Sequence, residues 1–63
     1  MTNFKRILVV KGVKEVDLAK QTGISLQTIS LFALGKVDIS SKRLYRIAKV
    51  LNVLMEELME EEK

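Results

Sequence analysis

Sixty-three residues, 48% hydrophobic and 30% charged, make one small domain (residues 1–63) near the lower limit for folding alone. The chain has no cysteine and no histidine, which excludes disulfides, thiol chemistry and the usual zinc sites. The net charge of +3 is uneven: residues 1–49 hold ten Lys or Arg against three acids, and residues 50–63 hold five Glu and one Lys. A basic body with an acidic end suits a polyanion partner, and it equally suits ordinary solvated lysines.

Without staples, a chain of this size depends on efficient helix packing or on oligomerisation. The absence of proline fits a mostly helical chain. Its longest apolar runs, 7–10 and 29–34 (interrupted by Ser30), are far too short to cross a bilayer. Lys5 and Arg6 precede only four apolar residues, which is no signal peptide. The expectation is a soluble, cytoplasmic protein with no membrane partner. Enzymology has little foothold, because neither His nor Cys can act as base or nucleophile. The glutamates at 56, 57 and 60–62 form a terminal charge run without the geometry of a metal cage. No catalytic residue, metal or small-molecule cofactor is therefore expected.

In chain order, Phe4, Ile7, Leu8 and Lys11 are spaced i, i+3, i+4, i+7 and predict a first helix over about residues 3–11. Thr2 or Asn3 can cap its start and Gly12 closes it. One of Val9 and Val10 is expected to face solvent. Residues 13–22 hold a second helix with Leu18 and Ala19 inward; Lys14 stands where a cap would be, and Glu15 and Asp17 favour the helix dipole. Gly23 marks the end of that helix and Ser25 caps a third, over about residues 26–34. A step of about 100° per residue puts Ile29, Phe32 and Ala33 on one side of it. Leu26, Gln27, Ser30, Leu31 and Leu34 fall on the other. After Gly35, residues 36–39 form a loop, and Ser40 or Ser41 caps a fourth helix. Its Leu44, Ile47, Ala48 and Leu51 make the cleanest amphipathic pattern in the chain, opposite Lys42, Arg43, Arg46 and Lys49. Asn52 suits the C-cap and Val53 an inward position. Met55, Leu58 and Met59 mark a short fifth helix, with Leu58 and Met59 expected in the core, and the acidic end at 56–63 is expected to fray.

Residues 18–36 organise the rest: two short helices broken at Gly23, the second with one flank anchored and the other presented. This is the plan of a helix-turn-helix, whose second helix enters the major groove of DNA.

The chain resembles the phage-repressor type of helix-turn-helix domain, the Cro and lambda-repressor-like or Xre family. The resemblance rests on KGV at 11–13, DLAKQTGIS at 17–25, TIS at 28–30, LGK at 34–36 and LYRIAKVLNV at 44–53. It implies a compact, all-α, five-helix domain that binds double-stranded DNA as a homodimer on a two-fold operator and controls transcription, in many members as a repressor. Three departures stand out. Leu8 and Ala33 occupy positions where the family often has an Arg–Glu pair, and a Leu–Ala contact can replace such a pair without loss. Glu15 stands where a phosphate-contacting Gln is common. Leu26 and Leu31 stand where polar or basic base-reading side chains project, and Leu34 replaces a common Asn.

Within that frame Gln27 is the outward residue best suited to base reading, because a glutamine amide bonds adenine N6 and N7 together. The bland alternative is a solvated helix residue. Thr28, Leu31 and Leu26 flank it. Thr28 and Ser30 have the reach for a phosphate or a base edge, and Ser25 combines its capping role with a possible phosphate contact. Lys14, Lys36, Lys42 and Arg43 are the candidate phosphate clamps, with Arg46 and Lys49 weaker ones. Leu26, Leu31 and Leu34 allow three accounts: contact with thymine methyl groups, a patch for a protein partner or self-association, or part of a shifted core. The family places its dimer contact near Val37, Leu54 and Met55, to which Leu34 is added here. The competing account of that end is core packing of the fifth helix.

Overall fold

The first helix, α1 (Asn3–Lys11), begins where Thr2 turns out of extended backbone and its hydroxyl accepts from the Lys5 amide at 3.1 Å. The chain is described here from a computed structural model, over residues 2–59. Four more helices follow: α2 (Glu15–Thr22), α3 (Leu26–Ala33), α4 (Ser41–Leu51) and α5 (Met55–Leu58). Among the described residues there is no strand, and no helix is long and apolar enough to cross a membrane.

Each helix end follows from its local sequence. Ser25 and Ser40 accept from the amides of Thr28 and Arg43 at 3.2 and 3.4 Å, so both caps satisfy a donor that the first helical turn leaves free. Lys14 caps α2 in extended backbone without a side-chain bond, and Val13 before it packs against the core. At the other end of α2, Gly23 takes φ +76 and its amide returns to the Ala19 carbonyl at 2.9 Å. That left-handed turn reverses the chain within two residues of the α3 cap, which sets the angle between α2 and α3. Asn52 closes α4 with φ 60, a conformation its short amide side chain tolerates.

The core is a cluster of Phe4, Leu8, Leu18, Ile24, Ile29, Ala33, Leu44, Ile47, Ala48, Leu51 and Leu58. All four amphipathic positions of α4 are buried, as its spacing predicts. Helix α2 packs against α3 and α4, α5 against α1 and α4, and α1 against α3. Phe32 is half-buried and sets its ring 4.9 Å from Phe4 at a 47° tilt. Leu8 and Ala33 are both buried in this cluster, so apolar packing serves where the resembling family often has a charge pair.

Several expectations are corrected. Val9 and Val10 are both exposed, because 100° steps from the Phe4–Leu8 face carry both away from the core. Lys11 shares the inward spacing yet is exposed at the last turn, where its charge complements the helix dipole. Met59 is 54% exposed: α5 ends at Leu58, and the extended backbone at Met59 (φ −84, ψ 142) turns its side chain out of helical register. Glu56 and Glu57, expected to fray, lie within α5, which Leu58 fixes to the core at 1% exposure. The rest of the acidic end, 60–63, lies outside the described residues.

Candidate nucleic-acid interface

Helix α3 is fixed from its inner side. Ile29 is 0% exposed and Ala33 2%, while Leu26 and Gln27 on the opposite flank are exposed. Thr28, Ser30 and Leu31 are half-buried, along the edges of that outer face. Leu34, which caps the helix C-terminus rather than extending it, is 56% exposed. The account that makes the three leucines part of a shifted core fails for Leu26 and Leu34 on this exposure.

Hydrogen bonds from outside α3 settle its position. Thr2 Oγ1, already the acceptor for Lys5, donates to the Ala33 carbonyl at 2.7 Å, at a helix end that lacks intrahelical donors. Arg46 Nη1 donates to the Thr22 carbonyl at 3.0 Å, so a guanidinium sits at the negative end of the α2 dipole beside the turn. Thr22 itself is buried; its hydroxyl donates to the Leu18 carbonyl at 2.8 Å and accepts from the Ile24 amide at 3.3 Å. The turn is thereby held at both faces, with Ile24 inserted into the core beneath it. Ser30 Oγ donates to Glu15 Oε1 at 2.7 Å and links the start of α2 to the middle of α3.

These bonds rearrange the expected roles. Arg46, a weak candidate for phosphate, is a brace of the turn. Ser30 has its proton committed to Glu15, so it has no donor left for a phosphate. Ser25 accepts from the Thr28 amide and donates to Thr28 Oγ1 at 2.8 Å, which leaves Thr28 with the free hydroxyl proton of that pair. Of the expected clamps, Lys14, Lys36, Lys42 and Arg43 are all exposed. Lys14 adjoins Glu15 at the level of Ser30, and Lys36 follows the end of α3. Lys42 and Arg43 lie four and three residues before Arg46 on α4, hence on the side that meets the turn. All four are exposed cations on segments that precede or follow α3 in the chain, and α3 itself, LQTISLFA, carries no charge. Glu15, which accepts from Ser30, sets a carboxylate beside α3. Replacing it by glutamine keeps an acceptor for Ser30 and removes a charge that repels phosphate. The expected result is duplex affinity several-fold higher in Glu15→Gln, with a thermal midpoint a few degrees lower because the first turn of α2 loses a charge that favours its dipole; fluorescence anisotropy and a melt measure both.

The residues expected at a dimer contact are only partly brought together. A groove of about 500 Å³ runs between α1, α3, the loop before α4 and the end of α5, with Val37, Ile39 and Met59 on its walls. Met55 is half-buried and packs on the core, which favours the core-packing account for that residue. Leu54 is 64% exposed and, like Leu34, is not among the residues lining the groove. Met59 is on the groove wall and not in the core, where helical spacing assigns it, because the helix stops one residue earlier. Among the described residues, no group of three or more His, Cys, Asp or Glu is placed to hold a metal ion.

A short helix with a buried inner flank, joined through a tight glycine turn to a preceding helix on which it packs, has the architecture of a helix-turn-helix. The chain belongs to the Cro/C1-type helix-turn-helix DNA-binding domain family, whose model matches residues 3–63. It is 45% identical over 47 residues to an uncharacterized HTH-type transcriptional regulator of Methanocaldococcus jannaschii, an alignment covering 75% of this chain and 71% of that protein. No solved structure matches it.

Proposed function

We propose that the protein is a sequence-specific DNA-binding transcriptional regulator that reads the major groove with α3. The observation that carries this reading is the exposed Gln27 on a helix whose opposite flank, Ile29 and Ala33, is buried in a chain of the Cro/C1 type. Gln27 bonds an adenine edge, with Thr28, Leu31 and Leu26 beside it. Lys14, Lys36, Lys42 and Arg43 neutralise phosphates on either side, and the Ser25 cap orients the amides at the start of α3 toward the backbone. The name of the archaeal relative supports the regulatory half of the reading.

The regulator acts as a homodimer on a two-fold site. The exposed Leu34, Val37, Leu54 and Met59 supply apolar surface for this contact, whereas Met55 contributes little because it packs inward. A second reading is favoured by the same leucines: 44% exposure of Leu26 and 56% of Leu34 offers an apolar face for self-association or a protein partner, with weak or no DNA binding. Retention on random duplex under a salt titration separates the two. The DNA reading expects log affinity to fall steeply with log salt, by about 0.9 per neutralised phosphate. Lys14→Ala and Arg43→Ala should each reduce that slope by about one. A slope near zero, together with concentration-dependent light scattering, would leave only the protein-partner reading.

A further inference from the structure

We infer that the outer face of α3 selects thymine by its methyl group, so that the leucines beside Gln27 are specificity determinants. The inference rests on the proposed DNA reading and adds the base to which the apolar part of the face is matched. Helix α3, LQTISLFA, carries neither an acid nor a base. The commonest guanine contact, an Arg or Lys on O6 and N7, therefore has no donor on this helix, and no carboxylate is present to accept from cytosine N4. Of its hydroxyls, Ser30 has given its proton to Glu15. What remains for base edges is the Gln27 amide, the Thr28 hydroxyl and two apolar side chains, Leu26 at 44% exposure and Leu31 half-buried.

Gln27 and Leu31 are four residues apart and share one side of the helix, with Leu26 beside Gln27 in its first turn. A glutamine amide matches adenine through N6 and N7, and the major-groove feature that distinguishes adenine's partner is the C5 methyl of thymine. An exposed leucine against that methyl removes both from water, and the gain is fixed at one base pair. Polar side chains in the places of Leu26 and Leu31 would obtain nothing from a methyl. The face is thus complementary to A·T pairs in both of its halves, polar and apolar.

The test uses a duplex enriched by the protein from a random pool, with each thymine of the enriched motif replaced singly by uracil. Uracil keeps the O4 acceptor and the pairing and loses only the methyl. The wild-type protein is expected to bind about threefold to fourfold more weakly for each contacted methyl removed. Leu26→Ala is expected to bind the thymine and uracil duplexes alike at one of these positions; exposure of Leu26 makes a folding defect small, and circular dichroism checks it. Leu31→Ala, at a half-buried site, maps the second position. Sequence-selective binding indifferent to every uracil substitution, or a motif built on guanine, would overturn the inference and leave the regulator reading intact. If no duplex is enriched from the pool, the regulator reading fails, and the methyl readout with it.

Discussion

Replacing Ile29 by alanine is expected to remove about 2–5 kcal/mol of folding stability, the range for large-to-small changes at sites that cannot collapse. Ile29 is 0% exposed in the core shared by α1, α2, α3 and α4, so no solvent-facing route relieves the cavity. A chain of 63 residues at about 0.05–0.15 kcal/mol per residue has only about 3–9 kcal/mol in total. The alanine variant therefore spends much of that margin, and a substantial unfolded fraction at 37 °C is the expected outcome. Ile29→Val, which removes one methylene, should cost about 0.5–1.5 kcal/mol and stay folded. Urea unfolding followed by circular dichroism measures both, with the slope unchanged if only the native state is affected. An unshifted midpoint in Ile29→Ala would mean that the inner flank of α3 does not hold the helix, and the outer flank would lose its fixed orientation. Bound duplex should raise the midpoint of the valine variant, since a ligand of the folded state stabilises it by mass action.

The same residue shows why this fold was legible in the sequence. Ile29, Leu44, Ile47, Ala48 and Leu51 are helix-periodic and all are buried, because on short helices a period of 3.6 leaves one stripe for the core. The caps were legible for a different reason. Ser25, Gly12, Gly23 and Asn52 each solve a local problem of backbone donors or of φ, and such solutions depend on neighbours within five residues. What remained hidden joins distant segments. The bonds Ser30–Glu15, Arg46–Thr22 and Thr2–Ala33 span 15, 24 and 31 residues, and no periodicity encodes them. Glu15 on its own reads as a phosphate-repelling departure; its acceptor role is evident only when α2 and α3 cross. Ile24 is a related case, buried at 4% in a three-residue turn where helical spacing has nothing to say. At the candidate interface, the outward positions of Gln27, Leu26 and Leu34 are legible from helical period, while the Ser30 bond to Glu15 and the second bond of the Ser25 cap, to Thr28 Oγ1, are not.

Gln27→Ala is expected to relax sequence preference without touching the fold. The side chain is exposed on the outer flank of α3, and alanine is at least as good a helix former as glutamine. The thermal midpoint should consequently stay within about 2–4 °C of wild type, the shift allowed by a surface change of at most 0.5 kcal/mol. A bidentate amide on adenine is worth about 1–3 kcal/mol against the wrong base, so one position of the selected motif should lose between about fivefold and a hundredfold of its discrimination. Affinity for unrelated duplex, and its salt slope, should be unchanged, because the substitution leaves the exposed Lys14, Lys36, Lys42 and Arg43, the proposed phosphate contacts, intact. Competition binding with single-base variants of the enriched duplex measures the first effect, and a salt titration on random duplex measures the second. The pairing of the two results carries the weight. Loss of non-specific affinity in Gln27→Ala would make the residue a backbone contact, and an unaltered motif would move base reading to another side chain of α3. Only a loss confined to one base pair is what an amide on an outward-facing turn of a charge-free helix can produce.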